Sequence, residues 1–171
     1  MRSLRIAGLR DLDARFRSPA LAELEGAAIV LASFCTEDHQ RSLTLADRIA
    51  RLRAIGREFQ TEELARLEAQ AVANASVDLL GAPGASLDDG RVLAERISSL
   101  RNSDSTFQTA RIALSEAYTL FNCTLHTEDH RERAGLAARI RDLRDSDEAF
   151  GTPAIALREA KALCNASIDS D

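Results

Sequence analysis

One short pattern, Arg-Ile-x-x-Leu-Arg, occurs four times in this chain of 171 residues and constrains its fold more than any other feature. The four copies follow one another at steps of 43, 48 and 43 residues and begin at Arg5, Arg48, Arg96 and Arg139. The same steps separate one Phe, one Ala and one Glu per copy: Phe16, Phe59, Phe107 and Phe150; Ala22, Ala65, Ala113 and Ala156; Glu25, Glu68, Glu116 and Glu159. Such internal repetition is typical of a chain that folds as similar units stacked on one another.

The composition indicates that these units are helical. The chain is rich in Ala, Leu, Arg and Glu, which favour helices, and it contains only three Pro. Its β-branched residues do not alternate with polar ones, as they would in half-buried strands. With 45% hydrophobic residues, the chain has enough apolar surface for a core without a metal or a disulfide. We therefore predict an all-α fold.

Each copy is predicted to contain two helices. In the first helix, apolar residues recur at helical spacing, as at Leu45, Ile49 and Leu52, and we expect it to end just past Phe59 or its equivalent. A hydroxyl residue then occupies one position in every copy: Ser18, Thr61, Thr109 and Thr152. Such a side chain accepts a hydrogen bond from a free amide at a helix N-terminus, so this position is predicted to cap the second helix.

The second helix combines large and small residues at fixed positions. Two positions are always large and apolar: Leu21, Leu64, Ile112 and Ile155, and two turns later Ile29, Val72, Leu120 and Leu163. Between them every copy has small residues: Ala22, Ala65, Ala113 and Ala156, then Gly26, Ala69, Ala117 and Ala160. Small residues let helix axes approach closely. Each copy is thus predicted to be an antiparallel helical hairpin that buries one stripe inside and another against its neighbour.

These predictions combine into one domain over residues 1–171, an α-solenoid of four tandem two-helix repeats of about 43 residues. The repeats span approximately residues 2–37, 38–85, 86–128 and 129–171. The extra five residues of the middle step are assigned to a loop at 81–85, which contains two Gly and one Pro. Tandem units of this length resemble the HEAT and armadillo class of α-solenoids in architecture only. No signature residue of a named family matches, so the resemblance implies no functional residues.

The recurring Arg and Glu admit two interpretations. A line of carboxylates in shielded positions could perform acid–base chemistry or bind metal. Alternatively, the Arg that begin at Arg5 and Arg10 could form an ion pair with the Glu that begin at Glu25, linking the two helices of every copy. A catalytic site is needed once, whereas a packing contact is needed in every repeat. We therefore predict ion pairs.

An Asn recurs near the end of the second helix, at Asn74, Asn122 and Asn165, with Leu31 in its place in the first copy. Each Asn is followed by a small residue and then Ser or Thr, which matches the N-glycosylation pattern. A helix end offers a simpler explanation, because Asn can bond free carbonyls or amides of the adjoining turn. We predict this structural role.

The segment that carries Cys123, His126 and His130 is the main candidate for special chemistry. If it were helical, these three side chains would project from one face at a spacing compatible with zinc. However, Cys123 stands where other copies have Ala, as expected for a small buried residue. Asp129 and Glu132 could also form a capping pair that starts a new helix before His130. We therefore predict no metal ligand, no cofactor-binding residue and no catalytic residue.

Charge and hydropathy restrict the range of partners. The net charge is −5, and Arg residues are interleaved with acids, which disfavours the phosphate backbone of a nucleic acid. The longest apolar stretch, residues 26–35, has ten residues, against about 20 for a membrane span. We therefore predict a protein partner, with no nucleic acid, no membrane span and no obligate metal.

The cellular setting is predicted from composition alone. Arg outnumbers Lys by 21 to one, which indicates a GC-rich and bacterial coding sequence. Three Cys at non-equivalent positions form no disulfide framework and indicate a reducing compartment. We expect a cytoplasmic protein, located in the bacterial cytoplasm or, for a secreted effector, in that of a host. Because both ends of the chain fall near repeat boundaries, we also expect a fragment of a longer array.

Three functions are compatible with these features. The first is a protein–protein interaction or scaffold module, because stacked hairpins carry variable side chains on one face without disturbing the core. Its contact candidates are variable positions of the second helices: Arg66, Gln70, Arg111, Tyr118, Arg158 and Lys161. The second is a small metal-dependent or acid–base enzyme centred on the Cys123, His126 and His130 segment, with Glu128 and Asp129. The third is a structural spacer. We favour the interaction module, which is not an enzyme.

Overall fold

The computed structural model describes residues 18–168, and these residues are helical with no strand. Within this range the seven α-helices are α1 (Pro19–Ser33), α2 (His39–Arg53), α3 (Glu62–Leu79), α4 (Leu87–Asn102), α5 (Ala110–Cys123), α6 (His130–Asp145) and α7 (Pro153–Ser167). Three short 3-10 turns precede α3, α5 and α7, at Arg57–Phe59, Ser105–Phe107 and Glu148–Phe150. The all-α prediction is confirmed for this part of the chain.

The predicted capping position begins the odd-numbered helices. Ser18, Thr61 and Thr152 are N-caps whose hydroxyl oxygens accept a bond from the backbone amide three residues later, at 3.3, 3.2 and 3.4 Å. Thr109 occupies the same position before α5 but makes no such bond, and its hydroxyl is buried without a hydrogen-bond partner among the described residues. The hydroxyl position therefore predicts where these helices start.

The even-numbered helices end earlier than predicted. α2, α4 and α6 stop at Arg53, Asn102 and Asp145, five or six residues before the Phe that was expected near their last turn. Each Phe lies instead in the following 3-10 turn. Before two of these turns, Asp104 and Asp147 accept bonds from the amides two residues later, which competes with continuation of the α-helix.

The odd-numbered helices pack in sequence against one another, α1 on α3, α3 on α5 and α5 on α7. Each even-numbered helix packs on the odd-numbered helices before and after it. The small residues lie in these contacts, where Ala65, Ala69, Ala113 and Ala117 are fully buried. At Gly26, a Cβ atom would lie 3.0 Å from Leu67 Cδ1 and 3.3 Å from Leu64 Cδ2, so α1 approaches α3 too closely for a larger residue. This confirms the role predicted for the small positions in these helices.

The five extra residues at 81–85 lie in the connection between α3 and α4. Gly84 has φ of 76°, a left-handed conformation that favours Gly. Ser86 then caps α4 in a capping box with Asp89. Part of the added length is taken up before the loop, because α3 continues three residues past Ser76, whereas α1 ends at the equivalent Ser33. The extended helix ends on Leu79, which is buried.

The described helices also bear on membrane insertion. Over residues 18–168, none of them combines the length and the apolar character needed to cross a bilayer.

Candidate functional site

The recurring Glu residues are bonded to Arg side chains and not arranged as a reactive cluster. Arg53 Nη1 donates to Glu68 Oε2 at 2.7 Å, and Arg101 Nε donates to Glu116 Oε2 at 2.9 Å. Arg144 bonds the remaining carboxylate, that of Glu159. The predicted ion pair between the helices of one copy is thus confirmed for the second, third and fourth copies, whose Arg and Glu residues lie within the described residues. Arg5 and Arg10, the partners expected in the first copy, lie outside them.

The same side chains also connect successive copies. Arg48 Nη2 donates to Glu25 of the preceding copy at 2.6 Å, and Arg96 Nη2 donates to Glu68 at 3.1 Å. In addition, the Arg53 guanidinium lies 5.1 Å from the ring centroid of Phe107. Arg101 has the equivalent place over Phe150, at 5.4 Å. Carboxylates held by guanidinium groups in this way act as packing contacts between helices.

The Asn side chains likewise join successive copies, which corrects their predicted role. Asn74 Nδ2 donates to Ser33 Oγ at 2.7 Å, and Asn122 Nδ2 donates to Ser76 Oγ at 2.8 Å. Asn165 donates to the hydroxyl of Thr124 at 2.8 Å. The prediction that they satisfy the adjoining turn is wrong, because each amide donates to a hydroxyl of the preceding copy instead. Asn74 and Asn122 are buried, so neither is presented to a glycosylating enzyme in the folded chain.

Each accepting hydroxyl is also a donor to its own helix. Ser33, Ser76 and Thr124 donate at 2.7 Å to the carbonyl three residues earlier, at Val30, Ala73 and Phe121. The hydroxyl proton is therefore committed, and the oxygen is left as an acceptor for the Asn of the next copy. We refer to these three Asn–hydroxyl bonds as the Asn ladder.

The segment from Cys123 to His130 does not form the continuous helix that would place its side chains on one face. α5 ends at Cys123, His126 lies in the turn, and exposed His130 begins α6. Asp129 caps α6 as predicted, accepting from the Arg131 amide at 2.8 Å. Glu132 does not complete a capping pair, because its carboxylate lies 3.4 Å from Arg91 Nη2. Within residues 18–168, no three His, Cys, Asp or Glu side chains are grouped as metal ligands would be.

The electrostatics of this segment follow from burial. Cys123 is buried, and desolvation raises the pKa of its thiol to about 11. The side chain lies against α4, where a Cβ on Gly90 would be 2.8 Å from the Cys123 Sγ. Partial burial also lowers the pKa of His126 below its usual value. Because the thiolate is the nucleophilic form, a thiol with a raised pKa is poorly reactive near neutral pH.

A groove crosses the odd-numbered helices and has a volume of about 510 Å³. Its lining comes from the end of α1 and from α3, α5 and α7, and consists of Ser33, Phe34, Arg66, Gln70, Ala73, Asn74, Val77, Asp78, Arg111, Leu114, Ser115, Tyr118 and Arg158. Five of the six predicted contact residues therefore line one cavity. The sixth, Lys161, is exposed on α7 and does not line it. Whether these residues contact a partner stays a prediction.

Cations dominate the charge of the groove. Arg66 is neutralised by Glu63, which accepts bonds of 2.8 and 2.6 Å from it, and this bonding lowers the pKa of the Glu63 carboxyl. Among the described residues, no carboxylate lies within ion-pair distance of Arg111 or Arg158. The Arg158 guanidinium lies over the ring of Tyr118, 4.4 Å from its centroid.

Apolar and amide groups complete the groove. Phe34 is 64% exposed at its rim, Val77 is also exposed, and Leu114 is half-buried. At the base, Gln70 Nε2 donates to Asn74 Oδ1 at 3.1 Å. Asn74 and Ser33, which form the first bond of the Asn ladder, both line the groove. The apolar members of the groove were not predicted from the sequence. Phe34 could have been noticed as a large aromatic residue directly after a helix end, but its exposure depends on the neighbouring helices.

Comparison with known proteins adds no further assignment. The chain matches no protein-family model, and no curated protein or solved structure is significantly similar to it.

Proposed function

We propose that this chain is an α-solenoid of tandem two-helix repeats and that it serves as a protein–protein interaction or scaffold module. The groove across α1, α3, α5 and α7 is the observation that carries this proposal. It brings together five variable residues that come from three separate helices, while the invariant residues remain in the core and in the contacts between copies. A surface of this kind varies without cost to the fold.

The contacts between copies support the solenoid part of the proposal. The Asn ladder joins α1 to α3, α3 to α5 and α5 to α7 with the same pair of groups each time. The two Arg–Phe contacts recur in the same way. Equivalent residues in equivalent surroundings are expected when one unit is repeated and each copy packs on the next.

Affinity capture with variants tests this function. The wild-type chain would be immobilised and exposed to a lysate of the source organism, beside a variant with Arg111→Glu and Tyr118→Ala. Arg111 is exposed and Tyr118 is half-buried at the groove, so the variant should keep its helices, which circular dichroism would verify. We expect a defined set of proteins on the wild type that is depleted on the variant.

The matched control is Arg51→Glu, which reverses a charge at an exposed position of α2 that does not line the groove. This control should retain the same proteins as the wild type. Equal recovery of specific proteins from all three chains would contradict the groove as the contact surface, and no specific recovery from any would contradict the interaction role and favour a spacer.

A further inference from the structure

The groove carries a positive charge on a protein whose net charge is negative. The chain has 27 acidic and 22 basic residues, yet the groove is lined by three Arg and only one carboxylate, that of Asp78. The Asp78 carboxylate already accepts a bond of 2.5 Å from Ser42 Oγ. Arg66 is paired with Glu63, which leaves Arg111 and Arg158 as the two guanidinium groups without a bonded carboxylate among the described residues.

Apolar surface lies between these cations. The Tyr118 ring lies under Arg158, and Leu114 comes from the same face of α5. Phe34 and Val77 are exposed at the α1 and α3 side of the groove. An occupant therefore meets guanidinium groups on α5 and α7 and an apolar surface beside them. Aromatic and Arg side chains of this kind are the groups that most often contribute binding energy in protein interfaces.

From these features we propose that the groove binds a peptide segment in which Asp or Glu residues flank a large apolar side chain. The carboxylates would bond Arg111 and Arg158, and the apolar side chain would lie against Leu114, Tyr118 and Val77. This inference rests on the proposed interaction function and specifies the chemistry of its partner. A polynucleotide fits less well, because its closely spaced phosphates would meet only two guanidinium groups without a bonded carboxylate, on a chain whose net charge is −5.

Selection from a random peptide library tests the proposal. A displayed library of twelve-residue peptides would be selected on the intact wild-type chain, and enriched sequences would be synthesised with a fluorescent label for anisotropy titration. We expect enriched peptides to have an excess of Asp and Glu around one aromatic or aliphatic residue. Their binding should weaken as salt is raised, because exposed charge pairs are screened.

Two double variants give the decisive comparison. Arg111→Glu with Arg158→Glu should weaken binding of the enriched peptides about tenfold or more, since two attractions become repulsions. Arg41→Glu with Arg51→Glu makes the same change in net charge on exposed positions of α2 and should leave binding unchanged. Thermal melts would verify that both variants fold.

The possible outcomes separate this inference from the function on which it rests. Peptides that are uncharged or basic, yet lose binding on Tyr118→Ala, would overturn the acidic partner and leave the interaction groove intact. Displacement of an acidic peptide from the wild type by a twelve-residue oligothymidine of comparable affinity would also overturn it. If none of the enriched peptides depends on Tyr118 or Arg111 for binding, both the inference and the groove as an interaction site are overturned.

Discussion

α5 and α7 carry equivalent residues, but their surroundings differ. Leu120 on α5 is 1% exposed, whereas Leu163, the same position on α7, is 41% exposed. Ala117 is buried on α5, and its counterpart Ala160 is exposed on α7. The reason is that α6 and α7 pack on α5, while within residues 18–168 no later helix packs on α7. The burial of such a position is therefore decided by the next copy and not by its own helix.

The largest expected effect on stability comes from removing the apolar side chain at the position of Leu120 and Leu163. Leu120→Ala should lower the free energy of unfolding by about 2–5 kcal/mol, because it leaves a cavity in a closed contact. Leu163→Ala should cost only about 1 kcal/mol, because much of that side chain is already in water. Urea denaturation of both variants measures the difference. Equal losses for the two variants would contradict the difference in exposure between Leu120 and Leu163 and would show that α7 is covered in solution.

A smaller difference is expected in the Asn ladder. Asn122→Ala removes a buried donor and leaves the Ser76 oxygen without its partner, which should cost about 1–3 kcal/mol. At Asn165, which is half-buried, water can replace the lost bond, so Asn165→Ala should cost about 1 kcal/mol or less. Thermal unfolding of the two variants is the measurement. Asn122→Asp serves as a control that keeps the size of the side chain and removes its amide donor. A larger loss at Asn165 would reverse the expected order.

The smallest effect concerns the charge of Glu116 on α5. Burial raises the pKa of this carboxyl despite its bond to Arg101. The folded state therefore holds the proton more tightly than the unfolded state, so the contribution of Glu116 to stability is present in acid and is lost as pH rises through the raised pKa. The stability of wild type relative to Glu116→Gln should fall as pH rises above about 4.5, the ordinary pKa of a Glu carboxyl. Denaturation midpoints measure this difference. If wild type instead gained stability relative to Glu116→Gln as pH rises, the prediction would be wrong.

Sequence periodicity was sufficient to predict that the chain is helical, where the odd-numbered helices begin and some of the contacts between helices. The capping position, the small positions and the Arg53–Glu68 type of ion pair follow from residues that recur at fixed steps, because a recurring contact requires recurring residues. The end of α2 at Arg53 was not predictable from apolar spacing, since Phe59 continues the pattern in a different backbone conformation. The target of each Asn was also missed, because its partner is more than 40 residues earlier and belongs to another copy.

The candidate site was predictable only in part. Variability between copies pointed to Arg66, Gln70, Arg111, Tyr118 and Arg158, and the packing of α3, α5 and α7 brings these five to one cavity. Lys161 stands at the same position of its copy as Gln70 and Tyr118 but lies outside the groove, on α7, after which the structure describes no further helix up to residue 168. The exposure of Phe34 and the neutralisation of Arg66 by Glu63 depend on three-dimensional placement that no single copy contains.

The Asn ladder gives the row of helices a polarity, since every amide donates toward the N-terminal side. α1 carries Leu31, exposed, where the donor would be, and α7 presents the Ser167 hydroxyl, whose proton already bonds the Cys164 carbonyl. Along the described helices this direction means that α1 offers α3 an acceptor, the Ser33 hydroxyl, and has no amide donor at the ladder position.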